Sequence, residues 1–135
     1  MQRATLIAAA TSSLVAAACA IAGLVLGSRP SLAAGDPAAG QQVFARCAVC
    51  HATAPGVNKV GPSLAGVVGR VSGNVAGYNY SSAMKNANIT WDVGTLDKFL
   101  SGPAGFLHGT KMFLSVPNSA DRQNVVAYLG TLKGP

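Results

Sequence analysis

Two cysteines and a histidine crowd into five residues, Cys47-Ala48-Val49-Cys50-His51, and this spacing is the feature of the chain most able to do chemistry. CxxCH is the attachment motif for c-type haem. Each thiol adds across one of two vinyl groups on neighbouring sides of the ring, and two intervening residues let one turn of chain span that distance. The histidine after the second thioether is then held beneath the iron, where an imidazole nitrogen acts as proximal ligand. A redox-active CxxC belongs in a βαβ pattern, which the sequence lacks. A zinc site needs four ligands. Beyond residue 34 the only cysteines and histidines are Cys47, Cys50, His51 and His108, and the adjacent pair Cys50-His51 is a poor chelate. These residues favour one covalently bound haem c.

A cofactor held this way needs elements to position it. Asp36-Pro37 reads as a helix start, with Asp as N-cap and Pro in the first turn, where its missing donor costs nothing. Gly40, Val43, Phe44 and Cys47 follow at helical spacing, which predicts a helix to about residue 47. From 52 to 80 the pairs Pro55-Gly56, Gly61-Pro62 and Gly73-Asn74 mark loop. Ser81 caps a short helix to residue 87. Asp92 caps another to residue 100, with Leu96, Phe99 and Leu100 on one face, before Gly102-Pro103 stops it. A last helix starts at Ser119, stripes Val125, Tyr128, Leu129 and Leu132, and ends at Gly134. Alternating strand patterns are scarce. The expected class is all-α, roughly three to five short helices with long ordered loops, and loops this long in a small domain suggest that they wrap something.

The opening of the chain is of another kind. Arg3 precedes an uncharged run from Ala4 to Gly27, and Ser31-Leu32-Ala33-Ala34-Gly35 offers small residues at signal-peptidase spacing. Residues 1–34 therefore read as a secretory signal peptide and 35–135 as the working domain, which implies a periplasmic protein. The apolar run is also long enough for an uncleaved anchor with Arg3 on the cytoplasmic side, the alternative being a domain held at the inner membrane facing the periplasm. Cys19 lies inside the apolar run and reads as filler, not as a lipidation site. Ten Lys and Arg stand against four Asp and Glu, and Arg3 and Arg29 belong to the leader. The remaining basic residues are scattered singly, which argues against nucleic acid and for an acidic protein partner.

Several separated motifs carry a resemblance that covers nearly all of the domain. Gly40-Gln41-Gln42-Val43-Phe44, Val60-Gly61-Pro62-Ser63-Leu64, Gly69-Arg70, Gly77-Tyr78-Asn79-Tyr80-Ser81 with Trp91, and Gly109-Thr110-Lys111-Met112 stand in the order found in class I cytochromes c. The chain resembles that family in its mitochondrial and bacterial c2 type. The resemblance implies the small cytochrome c fold, with Cys47 and Cys50 as haem thioethers and His51 and Met112 as the two axial iron ligands. A thioether is a soft, neutral ligand that favours the ferrous state, so a His/Met pair raises the reduction potential relative to two imidazoles. The resemblance further implies that the carbonyl of Pro62 accepts the second N–H of His51, and that Arg70, Tyr80 and Trp91 surround a haem propionate. Gly40, Phe44 and Tyr128 match the contact between first and last helices. Met84, the other methionine of the domain, lies in an expected short helix with no such loop around it, and Met112 is preferred over the plain core role that methionine usually has.

The pattern is departed from in places. Phe99 stands where a Tyr usually reaches the Met sulfur, His108 where a Pro is common, and Ala104-Gly105 where a lysine pair is found, although Arg46, Lys59 and Lys111 remain at the rim. His108 reads as an exposed loop residue. The implied function is that of a monomeric one-electron carrier, not an enzyme, docking with acidic faces of redox complexes such as a quinol–cytochrome c reductase and a terminal oxidase. An open-site haem enzyme or gas sensor is the rival, separated from the carrier by whether both axial sites are filled.

Overall fold

The computed structural model describes residues 35–135, so the leader, its cleavage site and Cys19 lie outside the described residues. Helix α1, Pro37–Phe44, starts where cap chemistry places it: the Asp36 carboxylate accepts from the N–H of Ala38 at 2.8 Å, with Pro37 in the first turn. It stops short of the expected residue 47. From Ala45 to Cys47 each N–H bonds the carbonyl three residues back, so the chain tightens into turns that carry the CxxCH motif.

Helix α2, Ser82–Asn86, and helix α3, Val93–Ser101, are capped by Ser81 and Asp92 as expected. Asp92 and Thr95 form a reciprocal capping box, so two otherwise free backbone donors are satisfied together. The backbone bond from Thr95, the largest influence on Asp92, holds its carboxyl below the usual carboxylate range. Gly102 ends α3, but the proline that was expected only to stop the chain opens a further turn, α4, Pro103–Phe106. Proline costs nothing at a first helical position, which is why one residue both stops and starts.

Helix α5, Ser119–Thr131, is capped by Asn118 and buries Val125, Val126 and Leu129. It ends before the expected Gly134, because Leu132 turns extended and its carbonyl accepts the N–H of Gly66 at 3.0 Å. Among the described residues no strand forms, only an isolated bridge between Val71 and Thr90. The class is all-α with five helices.

Helices α1 and α5 pack against one another at Gly40, where any added Cβ would overlap the carbonyl of Asn124. Phe44 and Tyr128 flank this crossing with ring centroids 5.1 Å apart. Helix α3 also packs on α5, and its Leu96, Phe99 and Leu100 join the core. Gly40→Ala is therefore expected to lower unfolding stability by about 1–3 kcal/mol, the usual cost of overpacking, in urea denaturation followed by far-ultraviolet dichroism.

Candidate haem site

The helices and the 52–80 loop enclose an apolar cavity of about 190 Å³. Its walls are mostly apolar, with a few polar side chains among them. A concave apolar site with a few convergent polar groups suits a bound apolar group. Cys47, Cys50, His51, Arg70, Tyr80, Trp91 and Met112 all line it, and so does Pro62. The residues read from the sequence as one site are thus brought to one place.

Cys47 is buried and Cys50 half-buried, and no disulfide joins them. Burial pushes the Cys47 thiol up against the opposing pull of Arg46, the reverse of the depressed thiol that a redox CxxC uses. A protonated, desolvated sulfur beside an apolar ring site suits thioether chemistry. The N–H groups of Cys50 and His51 both bond the carbonyl of Cys47, which wraps the motif into one turn and brings its histidine inward.

His51 Nδ1 donates to the carbonyl of Pro62 at 2.7 Å. A carbonyl can only accept, so the tautomer is fixed with the proton on Nδ1 and a lone pair on Nε2. Burial, the largest influence, pulls His51 below the ordinary histidine range; the Pro62 bond opposes it, and Arg70 and Lys59 add to it. The imidazole is neutral near pH 7, as a metal ligand must be. Gly61 makes room for it: a Cβ there would overlap Cε1 of the ring and lie 2.7 Å from Nδ1. This requirement was hidden inside the Val60-Gly61-Pro62-Ser63-Leu64 motif, because the sequence does not say what packs against the glycine.

Arg70 is half-buried and donates to the carbonyls of Ala65 and Ser63 at 2.9 and 3.0 Å, tying the loop that covers the cavity. The one ion pair among the described residues joins Arg122 and Asp97, so Arg70 meets no protein carboxylate there. Burial raises the Tyr80 phenol above its usual range against the pull of Arg70, keeping it a donor. Trp91 is buried against Phe99, with centroids 5.0 Å apart. A cation, a phenol and an indole around one apolar site match a flat apolar group that carries carboxylates, since a buried carboxylate requires such donors. The site fits haem.

Both methionines of the domain line the cavity, Met84 as well as Met112. A smaller adjoining cavity of about 70 Å³ separates them, because His51, Met112, Cys47 and Cys50 bound it and Met84 does not. The N–H of Met112 bonds Oγ1 of buried Thr110 at 3.3 Å. His108 is exposed.

A small helical domain whose loops close over such a site defines a c-type cytochrome. Residues 37–133 match the cytochrome c family. The chain is 50% identical over 102 residues to cytochrome c2 of Rhodoblastus acidophilus, covering 74% of this chain and 95% of that one. It is 47% identical over 109 residues to cytochrome c2 of Rhodomicrobium vannielii, covering 79% and 87%. Among solved structures, cytochrome cH from Methylobacterium extorquens superposes with a TM-score of 0.68 at 40% identity, over 72% of this chain and 99% of that one. The chain belongs to the cytochrome c family, carries one covalently attached haem c, and is an electron carrier.

Gly61→Ala is expected to displace the His51 ring, so that less of the purified protein shows the low-spin visible spectrum of a fully ligated iron. Gly105→Ala, where nothing lies within 4 Å of the added Cβ, leaves the spectrum unchanged.

Proposed function

We propose that this protein shuttles single electrons between larger redox complexes, with Cys47 and Cys50 bonded to the haem and His51 and Met112 filling both axial positions. The observation that carries this reading is the shared wall of the cavity: a neutral imidazole locked by Pro62 and a loop thioether bound the same small space beside the two thiols. The haem supplies the ferric–ferrous couple. His51 holds its lone pair towards the site, Met112 offers a soft neutral donor, and the apolar walls exclude water. With both axial positions taken by side chains, no substrate reaches the metal and the protein is a carrier, not an enzyme. Arg70, Tyr80 and Trp91 hold the propionates.

The rim supports docking of a redox partner. Val49, Val60 and Phe113 are 75, 78 and 77% exposed, and Leu114 is also exposed. Val60 belongs to the cavity wall and Leu114 to the smaller cavity, while Val49 and Phe113 adjoin wall residues in the chain. Arg46, Lys59 and Lys111 stand among them. Lys59 Nζ donates to the carbonyl of Ala48 at 2.8 Å and Lys111 Nζ to that of Asn79 at 2.9 Å, so each lysine also ties its loop. An apolar contact with a thin cationic ring fits an acidic-rimmed partner such as a quinol–cytochrome c reductase or a terminal oxidase. Export to the periplasm, with removal of residues 1–34, completes this reading.

Met112→Ala tests the ligand set. It is expected to abolish the far-red sulfur-to-iron band, lower the reduction potential and let carbon monoxide bind the ferrous protein, while the haem stays attached through acid–acetone extraction. Met84→Ala should keep band and potential, at a packing cost of about 2–5 kcal/mol. The assignment falls if the two variants behave the other way round, or if the unaltered protein already binds carbon monoxide readily.

Reversing Arg46, Lys59 and Lys111 to Glu is expected to slow reduction by an acidic partner moderately and to flatten its dependence on salt, since exposed charges act within roughly 10 Å at 0.1 M salt. Stopped-flow rates that ignore both salt and these substitutions would remove this face as the docking site.

A further inference from the structure

Arg122 lies on α5, away from the cavity lining, yet its side chain is only 13% exposed. Nε donates to Oδ1 of Asp97 on α3 at 2.8 Å. Nη1 donates to two backbone carbonyls, Val116 at 3.0 Å and Pro117 at 2.8 Å. These carbonyls end the irregular stretch 107–118 that bears Met112. Val116 is fully buried, and its N–H bonds the carbonyl of Leu100 at 2.7 Å. Phe113 and Leu114, immediately after Met112, are exposed. Leaving Met112, the chain therefore meets its first buried anchor at Val116, and Arg122 fastens that anchor to α3 and α5.

We propose that Arg122 is a positioning residue for Met112, clamping the downstream end of the distal segment so that the segment stays closed over the cavity. The inference rests on Met112 being the iron ligand. A carbonyl deprived of a charged donor is left unsatisfied or must take water in the donor's place, and either outcome weakens the anchor at Val116 and favours opening of the segment. An external ligand then binds in proportion to the open population, because its apparent affinity is its intrinsic affinity multiplied by the competent fraction.

Imidazole titration of the oxidised holoprotein, followed by visible absorption, measures that fraction. Arg122→Ala is expected to bind imidazole about tenfold or more tightly than the unaltered protein, the size of effect that loss of charged hydrogen bonds gives. Asp97→Asn, which leaves Arg122 in place but weakens its aim, should tighten binding less. Asp36→Ala removes the α1 cap and lowers stability to urea without touching the distal segment, so it should leave imidazole affinity alone. If Arg122→Ala yields too little folded protein, Arg122→Lys carries the test, since a single ammonium cannot serve the carboxylate and both carbonyls and should give an intermediate affinity. Arg122 variants that bind imidazole as the unaltered protein does, or an Asp36→Ala variant that tightens binding as much as they do, overturn the clamp. Met112→Ala separates the two proposals. If it fails to tighten imidazole binding, the ligand assignment is wrong; if it does tighten and the Arg122 variants do not, the clamp alone is wrong.

Discussion

The hydrogen bond from His51 to the carbonyl of Pro62 is the constraint on which the proximal half of the structure depends. It fixes the tautomer of a half-buried imidazole whose charge burial already disfavours. For the bond to form, the loop must pass directly against the ring, which only a glycine at 61 permits. The same loop is held in register by N–H groups that reach back to the motif: Gly61 to the carbonyl of Cys50 at 2.8 Å and Leu64 to that of Ala52 at 2.9 Å. Motif and loop are thus one hydrogen-bonded unit. The helices supply the frame, but this unit aims the ligand.

The frame itself is spare. Two helices crossing at a glycine and a third packed beside them leave long stretches of backbone without regular partners, and such groups must be satisfied singly. Arg70 takes the carbonyls of Ala65 and Ser63, and Ser63 Oγ takes that of Ala54 at 2.7 Å. Asn58 accepts from the N–H of Ser63, and Tyr78 donates to the carbonyl of Val60. No buried side-chain polar atom among the described residues lacks a partner. Side chains therefore do for these loops what a sheet ladder does elsewhere, and they leave the apolar interior to the haem.

What could be read from the sequence follows the range of the forces involved. Cap chemistry is local, so the starts of α1, α2 and α3 at Asp36, Ser81 and Asp92 were legible, as was the gathering of the motif residues around one site. Helix ends were less legible because tertiary bonds decide them: α5 stops where Leu132 is drawn to Gly66, and α1 yields to the tight turns that bring the cysteines inward. The turn α4 was hidden because a proline after a glycine reads equally as stop and start. Met84 facing the cavity was also hidden, since five helical residues carry too little periodicity to fix a face. The Arg122–Asp97 pair spans 25 residues, and no local pattern announces it.

The two sides of the cavity are held by different means, and the difference bears on function. His51 follows the second cysteine directly and is bonded through Nδ1 to a loop that is itself bonded to the motif. The distal segment has no covalent tie of that kind. It depends on the Thr110 hydroxyl before Met112, on Lys111 bonded to Asn79, and on the Val116 anchor fastened by Arg122. Phe99, which lines the same cavity, brings no hydroxyl donor to it. Methionine in this setting is constrained mainly by backbone placement. With His51 and Met112 as the ligands proposed above, an electron carrier would gain from that arrangement as long as the segment stays closed, because ligands fixed in both oxidation states leave little to rearrange when the charge on the iron changes. On that proposal, stability of the closed segment, more than the chemistry of the sulfur alone, is what keeps this site a carrier and not an open haem.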